Sequence, residues 1–175
     1  MRQQSSKSWA LRGEEWSGWQ VASLVTLRLL VGWHFLYEGV AKLANPYWTS
    51  AEYINQAKWL FQKTFTDLAA NPQAVTIVDH LNSWGLTLIG LGLVLGLFTR
   101  TAAAAGIIVL LLYYIVAPPF VGLSYAMPTE GSYLIINKVL IEAAAMLVLL
   151  VFPTGHLFGL DRLFVRTRNS EAPIS

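Results

Sequence analysis

The stretch VASLVTLRLLVGWHFLYEGVAK, Val21 to Lys42, is apolar enough to cross a bilayer, yet it holds Arg28, His34 and Glu38 and ends on Lys42. At ~1.5 Å rise per residue, Val21 to Val40 spans roughly 30 Å, the thickness of a bilayer's hydrocarbon core. A charged side chain at that depth costs at least ~2.5 kcal/mol on insertion scales, so it faces a partner or a watery cavity rather than lipid. Helical periodicity gathers Arg28, Val31, His34, Phe35, Glu38, Lys42 and Asn45 within roughly a third of the circumference. The stretch therefore predicts one helix with a single polar stripe, which the remaining helices must cover.

The composition agrees with lipid as the main solvent. Of 175 residues, 55% are hydrophobic and 13% charged, with seven Trp and a mean hydropathy of +0.49; soluble domains carry about 25% charged residues. A net charge of +2, with basic residues scattered at helix ends, argues against a nucleic-acid partner. The absence of cysteine excludes disulfides, thiolate metal sites and a dithiol relay in this chain. His34, His80 and His156 show no metal-ligand spacing, so no metal site is expected.

Outward from the first helix, Met1 to Trp19 reads as a polar segment closed by Trp16 and Trp19, and Asn45-Pro46 ends the helix. Residues 46–73 form an insert in which Tyr53, Ala57, Leu60, Phe61, Thr64, Phe65 and Leu68 recur at helical spacing. That pattern predicts an amphipathic helix lying on the membrane or over the mouth of a bundle. Further spans are expected at about 78–98, 101–117 and 133–152, the first of them rich in glycine. Gly85, Gly92 and Gly96 share one of its faces, and Gly92-x-x-x-Gly96 is the spacing that lets helix backbones approach. Pro118-Pro119 and Pro153 close the last two spans. The predicted fold is thus all-α: an integral membrane four-helix bundle over residues 20–156, with an extra amphipathic helix in the first external loop and a polar tail over 157–175.

Arg2, Lys7, Arg12, Arg100, Arg162, Arg166 and Arg168 fall on one side of this topology, so the positive-inside rule puts both termini in the cytoplasm. The insert and the loop around Pro128 and Glu130 then lie outside. Counting helical rise from each end brings Arg28 level with Glu142, and Glu38 level with Lys138. Two stacked ion pairs are expected. They serve either as register pins or as the lining of a head-group pocket, with His34 and Tyr37 as proton carriers. The candidate site residues are Arg28, His34, Tyr37, Glu38, Lys42, Asn137, Lys138 and Glu142.

The chain resembles the DoxX family of small bacterial and archaeal four-helix membrane proteins. The resemblance is carried by RLLVGWHFLYEGVAKL from Arg28 to Leu43, by the glycine-rich run and its F-T-R-T-A-A ending from Gly85 to Ala103, by Glu142, and by G-L-D from Gly159 to Asp161. It implies a prokaryotic plasma membrane and association with membrane oxidoreductase systems, since DoxD and DoxA relatives go with thiosulfate:quinone oxidoreduction. Quinone is the cofactor it implies. Other related bundles act as assembly factors or cargo receptors. Two readings follow: a subunit or accessory of a quinone-linked oxidoreductase, and a non-catalytic assembly protein that grips a membrane or periplasmic partner through Tyr53, Trp59, Phe61 and Phe65. A homo-oligomer stays open under both. A small-solute transporter fits less well, because no internal repeat or broken helix pair is visible.

Overall fold

The computed structural model describes residues 16–125 and 134–162. The N-terminal basic residues Arg2, Lys7 and Arg12, the loop residues Pro128 and Glu130, and Arg166 and Arg168 lie outside the described residues. Within them the chain is all-helical: α1 (Gly18–Ala44), α2 (Ala51–Ile54), α3 (Gln62–Ala69), α4 (Pro72–Leu95), α5 (Thr99–Val116) and α6 (Lys138–Val151). Two of these, Pro72–Leu95 and Thr99–Val116, are long and apolar enough to cross a membrane by composition alone. Arg28, Glu38 and Lys42 dilute α1, and α6 has 14 residues.

α1 starts earlier than the apolar run. Ser17 caps it, accepting from Gln20 N while the Gln20 side chain accepts from Ser17 N, a reciprocal capping box. α1 packs along α4, α5 along α6, α4 against α5, and α6 touches α1. Val31 and Phe35 of α1, Leu86, Ile89 and Leu93 of α4, Ala103 and Leu110 of α5, and Met146 and Leu149 of α6 form one buried core. We call the end where α1 begins the near end and the end where it finishes the far end.

The α1–α4 approach depends on glycine, although not on the glycines expected. A Cβ on Gly39 would stand 2.5 Å from Thr87 N, and one on Gly90 would stand 2.6 Å from Leu36 Cα. These two helices are therefore in backbone contact. Of the predicted glycine face, Gly85 has nothing nearby to meet, Gly92 meets Ala102 and Leu97, and Gly96 ends α4 in the left-handed conformation at φ +63. Gly96 has the clearest demand for glycine, both as the left-handed stop of α4 and because a Cβ there would stand 2.7 Å from Gly159 Cα.

The insert also departs from expectation. It is not one amphipathic helix but two short ones, α2 and α3, separated by Phe61 in the left-handed region at φ 65. Contacts to the second loop explain the break. Ala57 is buried, Lys58 Nζ donates to the Ser124 carbonyl and sits over the Tyr125 ring, and Trp59 meets Phe120 edge-on at 4.8 Å. With Ala57 buried, and Lys58 and Trp59 next to it both meeting the second loop, the run does not fit a surface helix that turns about 100° per residue. The front of the insert is pinned to α4, where Asp79 Oδ1 accepts from Ser50 N at 2.7 Å and from Ser50 Oγ at 2.5 Å. Tyr53 pins it to α5, donating from its hydroxyl to the Tyr113 carbonyl at 2.8 Å, with the two rings edge-to-face.

Burial, and secondarily the neighbouring Tyr113 and Tyr125 phenols, push the Tyr53 hydroxyl well above the usual tyrosine range. The folded state then holds this proton more tightly than the unfolded chain. Its contribution to stability is intact below the ordinary tyrosine pKa of about 10 and declines as pH rises past that value. At about pH 8, Tyr53→Phe is expected to melt below wild type, by the ~1 kcal/mol of one hydrogen bond. At about pH 11 the gap should narrow or vanish. Melting midpoints at the two pH values check this, and an unchanged gap would count against a buried, neutral Tyr53.

Candidate functional site

The polar stripe of α1 divides between the two ends of the molecule. At the near end Arg28, 2% exposed, turns away from Glu142. Its Nη1 donates to Thr154 Oγ1 at 3.1 Å and its Nη2 to the Phe158 carbonyl at 2.5 Å. These acceptors belong to a hook, residues 153–162, that leaves α6 and folds back under α4 and α5. Leu160 N and Asp161 N donate to the carbonyls of Leu95 and Gly96, both at 3.0 Å. Asp161 then caps α5: Oδ1 accepts from Phe98 N at 2.7 Å, and Oδ2 from Thr99 N at 3.2 Å and Thr99 Oγ1 at 3.1 Å. The Asp161 carboxylate is close enough to act electrostatically on Arg28. The expected Arg28–Glu142 pair is therefore replaced by Arg28 with the hook. The first residues of the expected tail belong to the folded body.

The hook is threaded so closely that side chains are excluded. A Cβ on Gly159 would stand 2.7 Å from the Gly96 carbonyl oxygen, and one on Gly155 would intrude on Thr99 and Asp161. G-L-D was legible as a motif, but Thr154 and Asp161 were not recognised as partners of Arg28, nor Thr99 as a partner of Asp161. Nothing in a short polar run after Pro153 distinguishes a tail from a return strand of chain.

Toward the far end, His34 and Glu142 come together, with Nδ1 to Oε1 at 3.9 Å. The His34 side chain is 56% exposed and that of Glu142 18%. Glu38 accepts from its own-helix neighbour Lys42 at 2.6 Å, and Lys42 Nζ also lies 5.4 Å above the Trp48 ring. Lys138 acts electrostatically on both Glu38 and Glu142. It is the first residue of α6, not the interior of a span beginning at 133, because Asn137 is the N-cap and its Oδ1 accepts from Leu140 N at 3.0 Å. Tyr37 projects outward on the α1 surface. Leu30, Trp33, His34, Tyr37 and Glu38 line a shallow groove of about 220 Å³.

Of the eight expected site residues, the structure thus associates His34, Tyr37, Glu38, Lys42, Lys138 and Glu142 around the far half of α1. It assigns Asn137 to a cap and Arg28 to the hook. A second polar contact was missed: Asn82 Nδ2 donates to the Tyr113 hydroxyl at 2.5 Å, while Asn82 Oδ1 is buried without a partner. Tyr113 reads in sequence as an interface anchor, and a single asparagine carries no signal of its partner. Among the described residues, no three His, Asp or Glu side chains gather as a metal cluster.

Among the described residues the body is helical, with two helices apolar enough to cross a membrane and a charge-bearing first helix. A family model described as DoxX matches residues 23–119, more than half of the chain, and the protein belongs to the DoxX family. The matched region runs from α1 through the end of α5, so Glu142 and the hook lie beyond it. Comparison with curated proteins and with solved structures gives no match.

Proposed function

We propose that the protein crosses a prokaryotic plasma membrane four times, through α1, α4, α5 and α6, with both termini cytoplasmic, and serves as a subunit or accessory of a quinone-linked oxidoreductase system. The observation that carries this reading is the His34–Glu142 pair beside a groove walled by exposed apolar and aromatic residues of α1. Polar side chains at bilayer depth are costly and mark functional sites more often than lipid contacts. A ring with oxygen substituents enters such a groove from the lipid side. Trp33 and Tyr37 offer faces for stacking, and the imidazole of His34 offers an N–H for a ring oxygen. Glu142 orients that imidazole, and Lys138 balances the local negative charge. A bound quinone supplies two-electron, two-proton chemistry; the electrons come from or go to another subunit, because this chain brings no cysteine ligands.

Mass spectrometry of lipophilic molecules extracted from gently purified protein tests the proposal. A quinone-type compound is expected with wild type, and it should fall by about tenfold or more in His34→Phe and Glu142→Gln, equivalent to one lost charge-assisted hydrogen bond. Absence of any such compound, or equal amounts in the variants, sinks the reading. One observation favours the assembly alternative: Trp59, Leu60 and Phe61 are 43%, 49% and 61% exposed around the strained Phe61 backbone. Recovery of no stable partner in a pull-down would count against it.

A further inference from the structure

The hook leaves a second charged surface at the near end. Arg100 and Arg162 are each next in sequence to Thr99 and Asp161, the two residues joined by the carboxylate cap of α5. The cap therefore holds together the two backbone segments that carry these arginines, and both are exposed. Asp161 does not cancel them outward, since its two oxygens already accept from Phe98 N, Thr99 N and Thr99 Oγ1 and it faces the buried Arg28. It is also the only acid of the described hook. The sequence flanking the described residues leans the same way, with Arg2, Lys7, Arg12, Arg166 and Arg168 against Glu14, Glu15 and Glu171.

The same two segments carry exposed apolar surface. Phe98 is 63% exposed and is held in the left-handed region at φ 50, with Asp161 accepting from its N–H; Phe158 is 64% exposed. Trp16 and Trp19 lie at the start of α1, and Trp16 meets Phe152 edge-on at 5.5 Å, which brings the α1 entrance to the end of α6. Aromatic residues at one level in a membrane protein mark the boundary between head groups and acyl chains. Basic residues there meet phosphate, and guanidinium groups suit its geometry.

We propose that Arg100 and Arg162 form a binding site for the phosphate of an anionic phospholipid, whose acyl chains lie along Phe98 and Phe158. The site is independent of the His34 groove and of any redox role. Its occupant is a lipid rather than a soluble phosphate because the arginines are flanked by exposed aromatic surface at bilayer-interface level.

The test uses full-length protein purified in micelles containing equal amounts of phosphatidylglycerol and phosphatidylcholine, with bound lipid read by native mass spectrometry. Wild type is expected to retain phosphatidylglycerol preferentially. Arg100→Gln combined with Arg162→Gln should retain about thirtyfold less, and Arg100→Lys combined with Arg162→Lys should keep most of the preference. In wild type the preference should also collapse at high salt, which needs no variant and so does not depend on variant folding. Equal retention of the two lipids by wild type overturns the proposal, as does undiminished phosphatidylglycerol in the glutamine variant or a preference insensitive to salt. Inorganic phosphate that displaces the lipid at millimolar concentration would also overturn it.

Discussion

Arg28→Ala is expected to destabilise the protein by about 3–5 kcal/mol, the range for removing one member of a buried charged network. The physical reason lies in what the substitution leaves behind. Arg28 is 2% exposed and joins α1 to the hook through Thr154 and the Phe158 carbonyl. Without it, two acceptors lose their donors, the Asp161 carboxylate loses its cationic neighbour, and a space the size of a guanidinium opens beneath Gly96. Lysine should rescue only in part, since a single ammonium cannot reproduce the fork that reaches both acceptors. Thermal or denaturant unfolding in detergent measures the loss. Amide exchange locates it: Leu160 and Asp161, whose N–H groups bond to α4, should lose protection before the core of α1 and α4 does. If Arg28→Ala melts at the wild-type temperature, the hook is not part of the folded unit. A double-mutant cycle with Asp161→Ala should be non-additive, because the two side chains serve one network.

That network also shows where reading the sequence succeeds and where it stops. α1 was legible because helical periodicity is a local property: the spacing of Arg28, His34, Glu38 and Lys42 on one face needs no knowledge of the rest of the chain. The helix stops at Asn45-Pro46, Pro118-Pro119 and Pro153 were legible for the same reason. Partner choice is not local. Pairing Arg28 with Glu142 followed from comparing depths along straight helices, and this treats only helices as candidate partners. The winning acceptors, Thr154 Oγ1 and the Phe158 carbonyl, sit on a segment whose return path depends on three close glycine contacts, those of Gly96, Gly155 and Gly159. Depth counting set Lys138 level with Glu38, on which it acts electrostatically, but set Glu142 level with Arg28, whereas the structure places His34 beside Glu142. In the insert the 3.6-residue pattern over Tyr53 to Leu68 was present, but burial of Ala57 and tertiary contacts at Lys58 and Trp59 overrode it. Phe61 in the left-handed region is where that conflict is absorbed.

Gly90→Ala is expected to cost about 1–3 kcal/mol or more through overpacking, and to act on the candidate site without touching it. The added methyl would stand 2.6 Å from Leu36 Cα and 2.7 Å from Leu36 Cβ, so neither a rotamer change nor a flexible side chain can make room. α1 and α4 must separate. Leu36 lies between His34 and Glu38 in α1, and moving this stretch shifts both relative to α6, where Glu142 and Lys138 stand. A structural site and a binding site would respond differently. If the His34–Glu142 pair only pins register, Gly90→Ala lowers the melting midpoint and changes nothing else. If the pair holds a head group, the same variant also loses the co-purifying lipophilic compound, and Gly85→Ala, whose added methyl meets nothing within 4 Å, loses neither stability nor compound. Mass spectrometry and melting measured on the same three preparations, wild type and the two glycine variants, separate these outcomes. A Gly90→Ala protein as stable as wild type would contradict the backbone contact between α1 and α4 itself. The comparison is sharp because both glycines lie on one helix and differ chiefly in what stands opposite them. Helix propensity favours alanine over glycine equally at the two positions, by about 1 kcal/mol, so a difference in sign between the variants reports the packing alone.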